Sequence, residues 1–248
     1  MLEINLIKGQ LDRLRLYNLK SNIESILHTS QIENQSNFEF LKQLLDIEIK
    51  HREKRDYERR LKSAHLPQHY NLDNFNHNYG GITKPQLKQL RELVWVENAY
   101  NLILMGPSGT GKTFIAAGLI YEAIRNGYKA YLITMEELIN TIRMKNISTS
   151  AMQKYNRLLN AHLLAIDDIM LFPVKREEAN DFFNLINTLH EKASIIITTN
   201  KAPTEWVEVL GDEVVTTAIL DRILFKCEVL KLSGSSYRIE NRRTIFNK

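Results

Sequence analysis

NLILMGPSGTGKT, residues 101–113, decides the fold of this chain. Asn101–Met105 reads as a short buried strand. The next eight residues are Gly106, Pro107, Ser108, Gly109, Thr110, Gly111, Lys112 and Thr113, with the spacing G-x-x-x-x-G-K-[ST]. Glycine tolerates positive φ and has no side chain to block approach, so such a loop turns its backbone N–H groups inward around a phosphate. In that pattern Lys112 reaches the β- and γ-phosphates and the Thr113 hydroxyl ligates Mg²⁺. A helix over Lys112–Arg125, with Ala116, Ala117, Leu119, Ile120 and Ile124 as apolar positions, would point its positive end at the anion. A chance glycine turn requires neither the strand before it nor the helix after it, and both patterns are present.

Outward from this loop, helical and strand patterns alternate from residue 84 onward. Candidate strands are Asn101–Met105, Lys129–Ile133, Leu163–Asp167, Ser194–Thr199 and Glu228–Leu232. Apolar strands alternating with helices predict an α/β fold with a five-stranded parallel sheet covered on both faces. The phosphate loop then sits at the carboxyl edge of the sheet, where open α/β folds bind ligands.

Three further segments carry chemistry. HLLAIDDIM, residues 162–170, is an apolar strand ending in two carboxylates. Asp167 is placed to hold Mg²⁺, and Asp168 to polarise an attacking water or, alternatively, to cap the next segment. SIIITTN, residues 194–200, ends in Asn200, which either holds the water or reads the γ-phosphate, or forms a turn. AILDRILF, residues 218–225, sets Arg222 on an apolar helix, to pair locally with Asp221 or Glu228 or to reach a neighbouring subunit's site as an arginine finger.

The first part of the chain reads as helical. Ile7, Leu11 and Leu14 recur at helical spacing, as do Leu19, Ile23, Ile26 and Leu27. Ser36 and Glu39 form a candidate capping box for a helix carrying Leu41, Leu44, Leu45 and Ile49. That helix runs into KHREKRDYERRLK, residues 50–62, with Lys50, Arg52, Lys54, Arg55, Arg59, Arg60 and Lys62 against Glu53, Asp56 and Glu58. The run is either a solvated face with Asp56–Arg60 and Glu58–Lys62 pairs or a surface for DNA phosphates or a protein partner. LPQHYNLDNFNHNYGG, residues 66–81, has no helical stripe and reads as a linker. Phe75 and Tyr79 in it either cover a purine or pin the segment.

Composition narrows the class. At 248 residues the chain can bury a full α/β core with a smaller appendage. Its hydrophobic fraction of 44% and charged fraction of 25% are ordinary for a globular protein. No apolar run is long enough to span a bilayer, and MLEINLIKGQLDRLRL lacks a signal-peptide pattern, so a cytoplasmic protein with no membrane partner is expected. The single cysteine, Cys227, excludes an internal disulfide or a cysteine zinc cluster. A net charge of +4 and a pI near 9.0 permit nucleic-acid binding without requiring it.

As an ordered set, GPSGTGKT (106–113), LLAIDD (163–168), IIITTN (195–200), AILDR (218–222) and SYR (236–238) resemble AAA+ ATPases, in the branch that holds IstB-type transposition helpers and DnaC-type helicase loaders. KAPTEW, residues 201–206, looks like the segment after the sensor strand in IstB-type proteins. The resemblance covers about residues 66–240, and the N-terminal helices match by length and position only. It implies an AAA+ P-loop core over 84–248, a linker over 66–83 and a small helical N-terminal domain over 1–65 for DNA or partner contact. With the last strand so close to residue 248, no large C-terminal lid is expected. The implied cofactors are ATP and Mg²⁺. Gly106–Thr113 corresponds to Walker A, Asp167 and Asp168 to Walker B, Asn200 to sensor 1 and Arg222 to the arginine finger. Arg238 matches the arginine of the SYR motif, with a nucleotide or interface role. Many AAA+ proteins end Walker B in Asp-Glu; Asp-Asp here is compatible with hydrolysis at slow turnover.

KAPTEW and the helical N-terminus favour the transposition helper: an ATP-dependent oligomer on double-stranded DNA that assists a cognate transposase. The alternative is a helicase loader acting on a hexameric helicase and single-stranded DNA. A self-contained P-loop kinase or GTPase is the third class. The GTPase version lacks its guanine-reading motif, since Asn200-Lys201-Ala202-Pro203 has the wrong fourth residue.

Overall fold

A computed structural model describes residues 2–77, 81–169 and 174–242. Tyr79, one of the two candidate purine covers, lies outside the described residues. The chain divides into two compact units, residues 1–59 and 60–248.

In the first unit, α1 (Leu2–Arg13) and α2 (Tyr17–Ile32) pack together and are followed by α3 (Asn37–Ser63). Leu19, Ile23 and Ile26 form the buried stripe of α2, spaced as the sequence pattern requires. Lys8–Glu24 and Lys20–Asp12 ion pairs of 2.6 and 2.9 Å join α1 to the α2 segment. The Ser36–Glu39 box caps α3: Ser36 N–H donates to Glu39 Oε2 at 2.8 Å, and Glu39 N–H donates to Ser36 Oγ at 3.3 Å. Leu14 falls after the end of α1 and is exposed.

The second unit is built on β1 (Asn101–Met105), β2 (Ala130–Thr134), β3 (Leu163–Ile169), β4 (Ser194–Thr199) and β5 (Cys227–Lys231). They form one parallel sheet in the order β2-β3-β4-β1-β5. Register is set by Ile103 opposite Ile197 and Val229, and by Ile166 opposite Ile197. Ile103, Ile166 and Ile197 join one apolar cluster with Leu138 of α7 (Met135–Met144), Phe182 of α9 (Arg176–Leu189) and Ile219 of α11 (Glu213–Leu224). The alternate residues Leu102, Leu104, Ala165 and Ile196 serve the opposite layer, where α6 (Lys112–Arg125) lies across β2, β3 and β4. Burial on two faces is why these strands read as unbroken apolar runs. The remaining helices are α4 (Lys84–Arg91), α5 (Val94–Glu97), α8 (Thr149–Leu159), α10 (Val207–Leu210) and α12 (Tyr237–Glu240).

Two polar details fix the sheet and its cover. Asn101 donates from Nδ2 to the Ile223 carbonyl at 2.8 Å and accepts from Ile195 N–H at 2.9 Å, so the one polar residue of β1 ties α11 to β4. Segment 66–77 belongs to the second unit and is laid on α6. Leu72 is buried, and a Cβ on Gly118 would collide with Leu72 and lie 2.8 Å from the Tyr70 carbonyl oxygen. Arg91 adds ion pairs of 2.6 Å to both Asp73 and Glu122. A segment without a periodic pattern is therefore held by a small residue beneath it and by charges at its side.

Candidate functional site

Because the strands are parallel, the ends of β1, β3 and β4 meet at one edge of the sheet. The phosphate loop leaves β1 there. Gly106 N–H donates to the Thr199 carbonyl at 3.1 Å, and Tyr237 N–H donates to the Gly109 carbonyl at 3.1 Å. Gly109 has φ +86, and a Cβ on it would collide with the Ser236 side chain. That glycine serves both backbone conformation and close approach. The segment after β5 thus forms one wall of the loop. Thr110 Oγ1 closes the turn by donating to the Pro107 carbonyl at 2.9 Å.

Lys112 is 6% exposed. Its ammonium folds back to donate to the carbonyls of Gly106 at 2.7 Å and Pro107 at 2.8 Å. Burial holds its pKa below the ordinary lysine value, partly opposed by the charges of Asp168 and Asp167. Asp167 is 5% exposed, and burial raises its pKa above the ordinary carboxylate value, partly opposed by hydrogen bonds from Thr198 and Thr113. Thr113 Oγ1 donates to Asp167 Oδ1 at 2.9 Å. The two sequence-predicted metal residues are therefore in contact. A hydroxyl and a carboxylate oxygen at that spacing are hard donors of the kind Mg²⁺ takes with few protein ligands, so the residues fit the ion.

Asp168 has φ +53, and β3 loses its regular register with β4 between Ile166 and Ile169. In a regular strand, consecutive side chains point to opposite faces. With this irregularity both Asp167 and Asp168 line one cleft. Asn200, exposed at the tip of β4, donates from Nδ2 to Ser108 Oγ at 3.4 Å, which brings the sensor candidate to the phosphate loop.

The cleft has a volume of about 1210 Å³ and is lined by Ser108–Phe114, Asp167, Asp168, Tyr237 and Arg238, with segment 68–76 and the α6 residues Tyr121, Glu122 and Arg125 opposite. It is large enough for a nucleoside triphosphate. Phe75 lies beside Gly111 and 6.0 Å from the Phe114 ring, so it pins its segment to the loop and also lines the cleft. The charge of Arg238 acts on Lys112.

Arg222 is not among the cleft residues. Of its two alternatives, local pairing with Asp221 or Glu228 does not form. Its Nε donates to Asn187 Oδ1 at 2.8 Å, one Nη donates to the Ala218 carbonyl at 2.8 Å, and the guanidinium lies 4.7 Å from the Phe183 ring centre. The planar fork suits an amide oxygen and an aromatic face on the adjacent α9 better than the alternatives on its own helix.

In the basic run, Lys50, Arg52, Lys54, Arg55, Arg59 and Lys62 are exposed and Arg60 is partly buried. Asp56 pairs with Arg59 at 2.9 Å, not with Arg60, since residues three apart also share a helix face. Arg52 pairs with Glu48 at 2.8 Å. Among the described residues, Lys50, Lys54, Arg55 and Lys62 have no ion pair.

Sequence reasoning missed Thr198 and Ser236. Thr198 is fully buried and bonds both aspartates; Ser236 packs on Gly109. The doubled threonine before Asn200 was the available signal for the first, because a polar residue in a wholly buried strand needs a partner.

A family model described as IstB-like ATP binding protein matches residues 9–245. An insertion sequence IS21-like ATP-binding protein of Bacteroides fragilis is 52% identical over 94% of this chain and 89% of its own length. An insertion sequence IS21 ATP-binding protein of Pseudomonas aeruginosa is 37% identical over 94% of this chain and 88% of its own. Among solved structures, AMPPCP-bound DnaA from Aquifex aeolicus shares the fold with a TM-score of 0.54 and 22% identity, covering 70% of this chain. This chain spans 53% of that DnaA, about half its length. On the phosphate loop, the two-aspartate strand end and a match along nearly the whole sequence, the chain belongs to the IstB-like ATP-binding protein family.

Proposed function

We propose that this protein is an Mg²⁺-dependent AAA+ ATPase that assembles on duplex target DNA and assists the transposase of its insertion sequence. One observation carries the assembly: Arg222 is held on α9 by Asn187 and Phe183 and is absent from the cleft that holds Lys112, Asp167 and Asp168. A site that uses this arginine takes it from a second copy. The insertion-sequence names of the relatives support the transposase as partner.

The roles follow from position. The loop N–H groups and Lys112 bind and orient the phosphates, with Lys112 exchanging two carbonyl partners for phosphate oxygens. Thr113 and Asp167 hold the metal, which when bound neutralises charge on the β- and γ-phosphates. Asp168 and Asn200 orient the attacking water, and Asp168 draws its proton. Arg238 contacts the nucleotide phosphates within the same chain. Segment 68–76, with Phe75, covers the base. Residues 1–65 contact DNA or the transposase through Lys50, Arg52, Lys54, Arg55, Arg59 and Arg60.

The test is the ATPase rate against protein concentration, alone, with duplex DNA and with single-stranded DNA. Specific activity is expected to rise steeply with concentration and to rise further with duplex. A preference for single strands would favour a helicase loader, and a flat, DNA-independent rate a self-contained enzyme.

The N-terminal assignment has its own test. Charge reversal of Lys54, Arg55 and Arg59 to glutamate is expected to weaken duplex binding and to reduce the slope of log affinity against log salt by roughly 2.7, from about 0.9 per phosphate contact. An unchanged slope returns this helix face to simple solvation.

A further inference from the structure

We propose that Thr198 is a positioning residue that sets both aspartates of the site through one hydroxyl. The inference rests on the reading of Asp167 as the metal-holding carboxylate. Thr198 lies on β4 between the phosphate loop and the two-aspartate strand end, and it is 0% exposed. A threonine hydroxyl has one proton and two lone pairs. Here the proton goes to Asp167 Oδ1 at 2.5 Å, and a lone pair accepts Asp168 N–H at 2.9 Å.

Each bond does a separate task. The irregularity in β3 turns Asp168 to φ +53 and takes its N–H out of the ladder with β4. An N–H turned out of the ladder needs another acceptor, and left-handed backbone at a non-glycine is unfavourable in itself. Thr198 supplies the missing acceptor, so the turn that brings two neighbouring carboxylates into one cleft is held in place. The second bond fixes the Asp167 carboxylate. Its Oδ1 takes two hydroxyl donors, Thr113 and Thr198, and no donor reaches its Oδ2 among the described residues. Thr113 belongs to the phosphate loop; its proton is on Asp167, and a lone pair of its oxygen would serve a cation, so its position is tied to what the loop binds. Thr198 has no such second duty. It holds Asp167 from within the sheet, independently of what the loop binds, and both hydroxyl bonds lie on Oδ1.

The experiment uses the full chain with Mn²⁺ as the probe in the presence of a non-hydrolysable ATP analogue. Free Mn²⁺ is read by electron paramagnetic resonance, and kcat and KM for ATP are measured in parallel. Thr198→Val is expected to weaken Mn²⁺ binding by about 10- to 100-fold, the usual cost of losing a hydrogen bond to a metal-holding residue, and to lower kcat. Analogue affinity in EDTA and KM for ATP should change by less than about threefold. Thr198→Ser, which keeps the hydroxyl, should restore Mn²⁺ affinity. A thermal melt accompanies each variant. If the valine protein does not fold, Thr198→Ala replaces it, since water then has room to reach Asp168 N–H. Equal Mn²⁺ affinity in the serine protein and in the hydroxyl-free protein overturns the proposal. Asp167→Asn separates the two levels of inference. Loss of Mn²⁺ binding there, with no effect at Thr198, sinks only the positioning role. Retained binding sinks the reading of Asp167 itself.

Discussion

Lys112→Ala is expected to lower affinity for ATP by about 30- to 1000-fold and to abolish ATP-dependent assembly. The range corresponds to about 2–4 kcal/mol for a charged donor aimed at an anion in a site shielded from water. The structure explains why the effect should sit at the high end. The residue is 6% exposed, and burial already depresses its pKa, so part of its desolvation cost is met before a phosphate arrives. Its partners are two neutral carbonyls, Gly106 and Pro107, which a phosphate outcompetes. The variant should fold normally. Alanine is a good first residue for α6, and its introduction removes a buried cation. Nucleotide affinity by titration with a fluorescent ATP analogue, beside a thermal melt, separates binding from folding. Tight binding by a folded variant would remove Lys112, and with it the loop, from the site.

What the sequence disclosed, and what it withheld, follows from how local each signal is. The loop, β1 and α6 were legible to the residue, because glycine spacing and an apolar run are properties of adjacent positions. β2, β3 and β5 shifted by one or two residues at their ends, where hydrogen bonds and not side-chain pattern set the limit. Asp167 and Thr113 are 54 residues apart and still foreseeable, since both belong to one recognisable chemistry. The bonds of Thr198 were not foreseeable, because they depend on the irregularity in β3, and no periodicity in LLAIDDI announces a residue at positive φ. Segment 66–77 misled by its composition. Asparagines and a lack of stripe suggested a linker, yet Leu72 is buried over Gly118 and the segment walls the cleft. For Arg222, the sequence offered a local carboxylate or a neighbouring subunit's site. The partner proved to be an amide and an aromatic ring on α9, a helix that pairs with α11 only in the folded core.

Arg222→Ala is expected to leave nucleotide binding unchanged and to lower turnover in the assembled state by about 10³- to 10⁵-fold, the range associated with arginine fingers. Loss of the side chain also removes its packing on Phe183 and its bond to Asn187, so a melt must show that the fold survives. The decisive measurement is a mixture. Asp168→Asn retains the loop, Lys112 and Arg222, and should bind ATP without hydrolysing it. Arg222→Ala retains a complete cleft and lacks only the donated charge. Each variant alone should be nearly inactive. If Arg222 acts across an interface, mixed assemblies join an intact cleft to an intact finger, and activity should reappear, up to about one quarter of the parental rate for random pairing at equal ratio, since one neighbour pair in four has that arrangement. If Arg222 serves its own cleft, no mixture contains a working site and the rate stays at the sum of the two variants. Binding of ATP by both proteins, measured first, ensures that a silent mixture speaks against the finger and not against the cleft.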